Sequence, residues 1–329
     1  MTMKFLPDKF LCALIIAIII ASVAPISGKA AEWFSLLTQI FVGLLFFLHG
    51  AKLPWQAVVA GIVHWRLHLT VFLATFVLFP VLGVLAGAIV PGLKESAFYA
   101  GILYLCVLPS TVQSSIAFTS IASGNIPAAI VSASASNIFG MFLTPLLVGL
   151  LFSTGGGKAV ISATAFESIL VQLLIPFVLG QLCQRFIGNF IIRHKALTSI
   201  VDRGSIILVV YLAFSEATTS GLWHTTSWHD LIVMIVIDVV LLAIVLAVTW
   251  YGSKLLGFNE KDCITIMFCG SKKSLASGAP MANAIFAGSG GAIGAIVLPL
   301  MLFHQIQLMV CTIIARHLSE RRKQSGEDE

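Results

Sequence analysis

The chain has 329 residues, 58% of them hydrophobic and only 10% charged, with a mean hydropathy of +1.02. A soluble domain of this length needs about a quarter of its residues charged to cover its surface; these proportions exclude one, and the chain reads as an integral membrane protein. The net charge of +5 raises the question of an anionic partner such as nucleic acid, but loop charge that orients a membrane protein explains it more simply.

A helix needs about 20 mainly apolar residues to cross the hydrocarbon core. In chain order, spans are predicted near Phe10–Ile26, Trp33–His49, His68–Val90, Ala97–Ser123 and Pro127–Phe152. After "STGGGK" they follow near Phe166–Phe186, Ser199–Ser215, Leu231–Leu255, Asp262–Phe286 and Ile293–Arg316, which makes ten. The basic start before the first span also describes a signal peptide. Removing that span would leave unequal halves, so it is read as a membrane helix. "KLPWQAVVAGIVHWR" (52–66) is too short to cross twice and predicts an interfacial helix, with Trp55 and Trp65 at headgroup depth. His64 and His68 within and after it have the i, i+4 spacing of metal ligands, although beside Trp65 and Arg66 a headgroup contact is the simpler reading. Trp223 and Trp228, in "LWHTTSWHD", read as an outer aromatic belt.

With both termini inside, the inner segments hold fourteen of the 19 Lys and Arg residues, and the outer loops hold Lys29, Lys94 and Lys158. That bias predicts cytoplasmic termini in an inner or plasma membrane. The remaining two are Lys272 and Lys273, inside the ninth span. The six cysteines form no C-x-x-C pair, so neither a disulfide framework nor a zinc site is indicated. "GSKKS" lacks the spacing of a phosphate loop.

The fourth and ninth spans resemble one another. "QSSIA" from Gln113 lies against "KKSLA" from Lys272, and each is followed by a proline-bearing apolar helix, "FLTPLLVGLL" and "IVLPLMLFHQ". Five spans per repeat force opposite orientations, hence an inverted repeat. The predicted organisation is a first repeat at 1–152, a linker at 153–165, a second repeat at 166–317 and a cytoplasmic tail at 318–329. "LPSTVQSS" and "CGSKKSLASGAP" each interrupt their helix, and irregular backbone at membrane depth is tolerated only inside protein or beside a wet cavity. Paired interruptions are the best pointer to a transporter's substrate and ion site. Close packing through small residues explains the glycines but not Gln113 or the lysines.

At these residues a resemblance becomes specific. "FFLHGAKL", "HWRLHL", "LPSTVQSSIAFTS", "SGNIPAAI", "FLTPLL", "FCGSKKSL" and "LFHQIQ" resemble the bile acid:sodium symporter superfamily, in particular the branch grouped with solute carrier 10 member 7. The resemblance implies an all-α fold of ten helices, with a panel domain (spans one, two, six and seven) and a core domain (the rest). Helices four and nine would be broken and crossed in the core, and substrate would bind between panel and core. Sodium-binding members place Ser-Asn on the fourth helix, where this chain has Ser114 and Ser115. They place a carboxylate and a glutamine on the ninth, where register puts Met267 and Ser271. On the fifth helix Ser132, Ser134, Ser136 and Asn137 are the nearest polar residues. The branch's F-C-x-x-x-K-S-L form makes Lys273 its lysine.

The crossover candidates are therefore Thr111, Gln113, Ser114, Ser115, Ser271, Lys273 and Ser274, with Ser132, Ser136, Asn137, Glu216, Asp238, His304 and Gln307 in support. Neighbours on a helix point about 100° apart, so the two lysines do not serve one site equally. The repeat register puts Lys273 opposite Ser114 and favours it. Its ammonium is expected at a cation's place, either as a permanent tie or as a proton carrier, with Asp238 as a counter-ion; the alternative is that both lysines snorkel to the cytoplasmic surface. Glu216 fits the branch's "FSEA"-like motif.

The expected function is a secondary transporter for a small, amphipathic organic anion, coupled to sodium or protons; it is not expected to be an enzyme. No cofactor is expected, and no metal beyond a sodium ion at the crossover. The expected partners are the anion and the bilayer, with no nucleic acid and no obligate protein partner. Two readings compete: a transport-derived regulator, for example of calcium balance, and an intramembrane hydrolase in which Lys273 activates Ser114 or Ser274.

Overall fold

A computed structural model of the protein describes residues 9–52, 64–154, 175–219, 221, 226–286 and 292–325. Every regular element among them is helical. In chain order these are α1 (Lys9–Val23), α2 (Gly28–Lys52), α3 (Trp65–Ile89), α4 (Tyr99–Val107), α5 (Val112–Ile121) and α6 (Ile126–Thr154). Then come α7 (Ile175–Arg193), α8 (Lys195–Thr219), α9 (Trp228–Leu255), α10 (Glu260–Gly270), α11 (Leu275–Ile285) and α12 (Ala292–Ser325).

Six of the described helices are long and apolar enough to cross a membrane, and the number is seven if α4 and α5, bent by 66° at their junction, count as one broken span. The difference from ten has local causes. The apolar part of α1 is only Cys12–Val23. The ninth span is split into two 11-residue helices, α10 and α11. The beginning of the sixth, 166–174, lies outside the described residues, as do 53–63, most of the expected interfacial helix, and Trp223. Large apolar side chains face outward: Leu255 is 88% exposed, Phe186 85%, Trp228 81% and Ile89 73%. Such faces are stable against lipid rather than water. The protein is an integral, multi-pass membrane protein.

The chain divides into two compact units. The first comprises the described residues of Met1–Lys52, Ala163–Thr226 and Ala279–Val297, and so gathers α1, α2, α7 and α8 with most of α11 and the start of α12. Its tightest seam lies between α2 and α7. A Cβ at Gly50 would collide with the Phe177 carbonyl, and one at Gly180 with the Phe47 carbonyl, so glycine at both positions lets the backbones touch. Leu45, Leu48, Ala51, Ile191 and Val201 form the core beside it. Asp202 of α8 sits 3.4 Å from the Lys52 ammonium and 3.5 Å from the His49 ring, tying α8 to the end of α2.

The second unit comprises the described residues of Leu53–Ser162, Ser227–Gly278 and Leu298–Glu329. It holds α3 to α6, α9, α10, the start of α11 and most of α12. Leu67, Val71, Ala128, Ala129, Ile266 and Cys269 make one of its cores. Trp65 and Arg66, expected on the interfacial helix, instead open α3. Arg66 donates to the Leu256 carbonyl at 3.0 Å and lies over the Phe258 ring, closing the α9–α10 turn.

One turn of α3, Ala74–Leu78, is a π-helix. There the Phe79 amide donates to the Ala74 carbonyl, one residue further back than in an α-helix. The next residue, Pro80, has no N–H to give. The Thr75 carbonyl is therefore left without a donor from its own helix.

Candidate functional site

Both interruptions lie in the second unit. Pro109 removes one amide and favours extended backbone before it. Leu108 accordingly has ψ 153° and Thr111 ψ 139°, so the first break is Leu108–Thr111, between α4 and α5. The second break is Ser271–Ser274, between α10 and α11. Gly270 precedes it because a Cβ there would lie 3.1 Å from Ala74 Cβ and 3.2 Å from Thr249 Cγ2.

The breaks are bonded to each other reciprocally. The third residue of the first, Ser110, donates from Oγ to the Cys269 carbonyl at 2.6 Å. The third residue of the second, Lys273, donates from Nζ to the Cys106 carbonyl at 2.8 Å. Each acceptor lies two residues before the opposite break. The backbone groups of both third residues are held by the following long helix. The Ser110 amide donates to Ser136 Oγ at 3.0 Å and its carbonyl accepts from Asn137 Nδ2 at 2.7 Å, both on α6. The Lys273 amide donates to Gln307 Oε1 at 2.9 Å and its carbonyl accepts from Gln307 Nε2 at 2.9 Å, on α12. The Ser274 amide donates to the Pro109 carbonyl at 3.0 Å, and Ser115 Oγ to the Phe268 carbonyl at 3.2 Å. The breaks thus pair Lys273 with Ser110. The expected pairing with Ser114 set Lys273 of the second break against a residue already inside α5, four positions beyond Ser110.

Lys273 is fully buried. Its Nζ donates to Thr75 O at 2.9 Å, Cys106 O at 2.8 Å and Leu108 O at 2.7 Å, and stands 4.1 Å from the Phe79 ring centroid. Three acceptors match the three donors of an ammonium. One is the carbonyl freed by the π-turn; the other two are at the C-terminal end of α4, where the helix dipole favours a cation. The expected ion pair with Asp238 is not made: carbonyls take the donors, and the buried Asp238 carboxylate has no hydrogen-bond partner among the described residues. The Ser-Lys dyad is not formed either. Ser114 Oγ is hydrogen-bonded to Thr111 Oγ1, and Ser274 Oγ donates to Ser277 Oγ at 3.2 Å.

Several members of this network were not among the sequence candidates. Ser277 Oγ donates to Asn137 Oδ1 at 2.7 Å, and the Tyr104 hydroxyl to the Gly278 carbonyl at 2.7 Å. Thr144 Oγ1 caps the Val107 carbonyl at 2.8 Å. Of the sequence signals, Pro109 and Pro80 mark where free carbonyls around Lys273 must find partners. His304 joins through its Nδ1, 2.8 Å from Gln307 Nε2.

Other candidates stand apart. Gln113 is exposed. Ser132 pairs with His68 Nδ1 at 2.7 Å, so His68 meets a hydroxyl rather than a metal partner. Among the described residues no three or more His, Cys, Asp and Glu side chains gather as a metal ion would need. Glu216 is half-buried in the first unit. Lys272 is buried like Lys273, so neither lysine reaches the surface. Its Nζ lies 4.3 Å from the Phe118 ring centroid and 5.5 Å from that of Phe268.

Comparison with known proteins decides the family. The model of the SBF-like CPA transporter family matches residues 8–320. The chain belongs to that family. Its relatives include "Uncharacterized protein PA2026" of Pseudomonas aeruginosa, 53% identical over 97% of this chain and 95% of the other. "Putative symporter YfeH" of Escherichia coli is 50% identical over 96% and 94%. Sodium/bile acid cotransporter 7-B of Xenopus laevis is 25% identical over 93% and 90%. The bonded breaks are thus a feature of an SBF-like CPA transporter. In this SBF-like chain the positions expected to hold sodium ligands on the ninth helix carry a buried Met267 and Ser271.

Proposed function

We propose that the chain is a secondary transporter that moves a small amphipathic organic anion by alternating access. It is built from two inverted five-helix repeats, 1–152 and 166–317, joined by 153–165 and followed by a cytoplasmic tail at 318–329. Both termini are cytoplasmic.

The reciprocal bonding of Ser110 and Lys273 carries this reading. Two breaks that donate to each other at matching positions, each held by an amide side chain from the next long helix, are what a pair of repeats facing each other would make. Transporters of that build hold substrate and coupling ions at such breaks. The gathering of α1, α2, α7 and α8 in one unit supports a panel, although most of α11 and the start of α12 fall in that unit too. The names of the relatives support a small-molecule cargo.

Lys273 fills the crossover in place of a coupling cation. Hard cations are held by converging oxygens, carbonyls among them, and here an ammonium already occupies three converging carbonyls. The crossover keeps a positive charge without sodium, which suits an anionic cargo. Thr111, Ser114, Ser115, Ser271 and Ser274 line the breaks, and Ser136, Asn137, His304 and Gln307 hold them.

The test is uptake by proteoliposomes of a panel of labelled organic anions, cholate and shorter aryl carboxylates included. Saturable uptake of one of them, trans-stimulated by the same anion inside and abolished by Lys273→Ala, is the expected result. Binding of an anion without any flux would instead favour a transport-derived sensor.

A further inference from the structure

We propose that Lys272, not Lys273, is the residue that meets the acidic group of the transported anion. This rests on the transporter reading above. The two lysines are equally buried, but their donors are in opposite states. All three donors of Lys273 are occupied by backbone carbonyls of its own unit. Lys272 Nζ has no nitrogen or oxygen partner among the described residues, and at most a weak contact with the Cys311 thiol. Its neighbours are the Phe118 and Phe268 rings and, beside it, the thiols of Cys269 and Cys311, which are weak acceptors at best. The adjoining Ser271 hydroxyl is likewise buried without a partner among the described residues.

An ammonium enclosed among apolar groups is costly, and two ring faces repay only part of that cost. Groups of this kind persist where something outside the chain completes them. The donors left open at the break are those of Lys272 and Ser271, and α11 begins directly after with the positive end of its dipole. Both side chains are donors of the kind that a carboxylate, sulfonate or phosphate oxygen accepts from. The flanking phenyl rings fit the apolar body that such an anion carries.

Pyridoxal 5′-phosphate, an anionic aldehyde, is a direct probe. The lysine nitrogen attacks its aldehyde carbon, water leaves, and borohydride reduces the imine to a stable amine that mass spectrometry locates. The full chain in proteoliposomes is treated with this reagent or with uncharged pyridoxal. Labelling of Lys272 is expected to be about tenfold greater with the phosphate-bearing reagent. The Ser271 hydroxyl and the N-terminus of α11 hold the phosphate while the Lys272 nitrogen takes the aldehyde, and one charge-assisted hydrogen bond supplies that margin. Lys273 stays unlabelled. Labelling of Lys273 in its place, equal labelling by both reagents, or an unlabelled Lys272 while Lys254 and Lys261 react would overturn the proposal. Lys272→Gln tests it without the reagent: flux falls and the melting temperature holds, whereas flux at the wild-type level would contradict it. Preferential labelling in a protein that moves no anion leaves the anion site standing and removes the transporter reading.

Discussion

At the scale of single residues, the two adjacent lysines separate by what their donors touch. Lys273 answers three carbonyls that would otherwise be stranded: one freed by Pro80 and the π-turn, two at the end of α4. Each buried polar group left unpaired costs about 1–3 kcal/mol. Lys273→Met is therefore expected to destabilise the protein by about 3 kcal/mol or more, read as a lower melting temperature in detergent. Lys272→Met removes a buried charge without a nitrogen or oxygen partner and is expected to leave the melting temperature unchanged or raised. If Lys273→Arg retains flux while Lys273→Ala abolishes it, Lys273 does not carry the proton. The importance of "SKKS" was legible in the sequence, because charge at membrane depth stands out against apolar neighbours. Which lysine does what was not legible, because it depends on carbonyls from Thr75, Cys106 and Leu108, residues with no polar signal of their own.

At the scale of elements, two devices set the geometry. The first is the π-turn of α3. Pro80→Ala supplies an amide, allows the turn to return to α-helix, and lets Phe79 N–H take the Thr75 carbonyl. Lys273 then loses an acceptor, so the effects of Pro80→Ala and Lys273→Met are expected to be non-additive in a double-mutant cycle. Simple additivity of the two melting shifts would contradict the coupling. The second device is the glycine seam of α2 and α7. Gly50→Ala or Gly180→Ala forces the backbones apart and is expected to cost about 1–3 kcal/mol, whereas Gly149→Ala, with open space around it, costs little. Span positions were readable from hydropathy over most of the chain. The breaks were readable from Pro109 and from the lysines, but their register was not: the likeness of "QSSIA" to "KKSLA" sets residues of α5 against Lys272–Ser274 of the second break, whereas both breaks are four residues long. Asp238 illustrates the same limit, since its depth suggested a counter-ion and only the carbonyl cage shows that none was needed.

At the scale of the whole molecule, the charge bias predicts sidedness. In a background without the six native cysteines, Lys94→Cys is expected to react with an impermeant maleimide from outside intact cells, and Lys261→Cys only after permeabilisation. The reverse pattern would invert the topology. Family membership accords with a transporter, while the substrate is a matter of the site's charge and shape rather than of the relatives' names. The most direct measurement is the melting temperature of wild type and Lys273→Ala in sodium against potassium at equal ionic strength. If Lys273 stands where a cation would bind, wild type melts at the same temperature in both salts and Lys273→Ala melts lower. A sodium-specific rise in wild type that survives Lys273→Ala would contradict it.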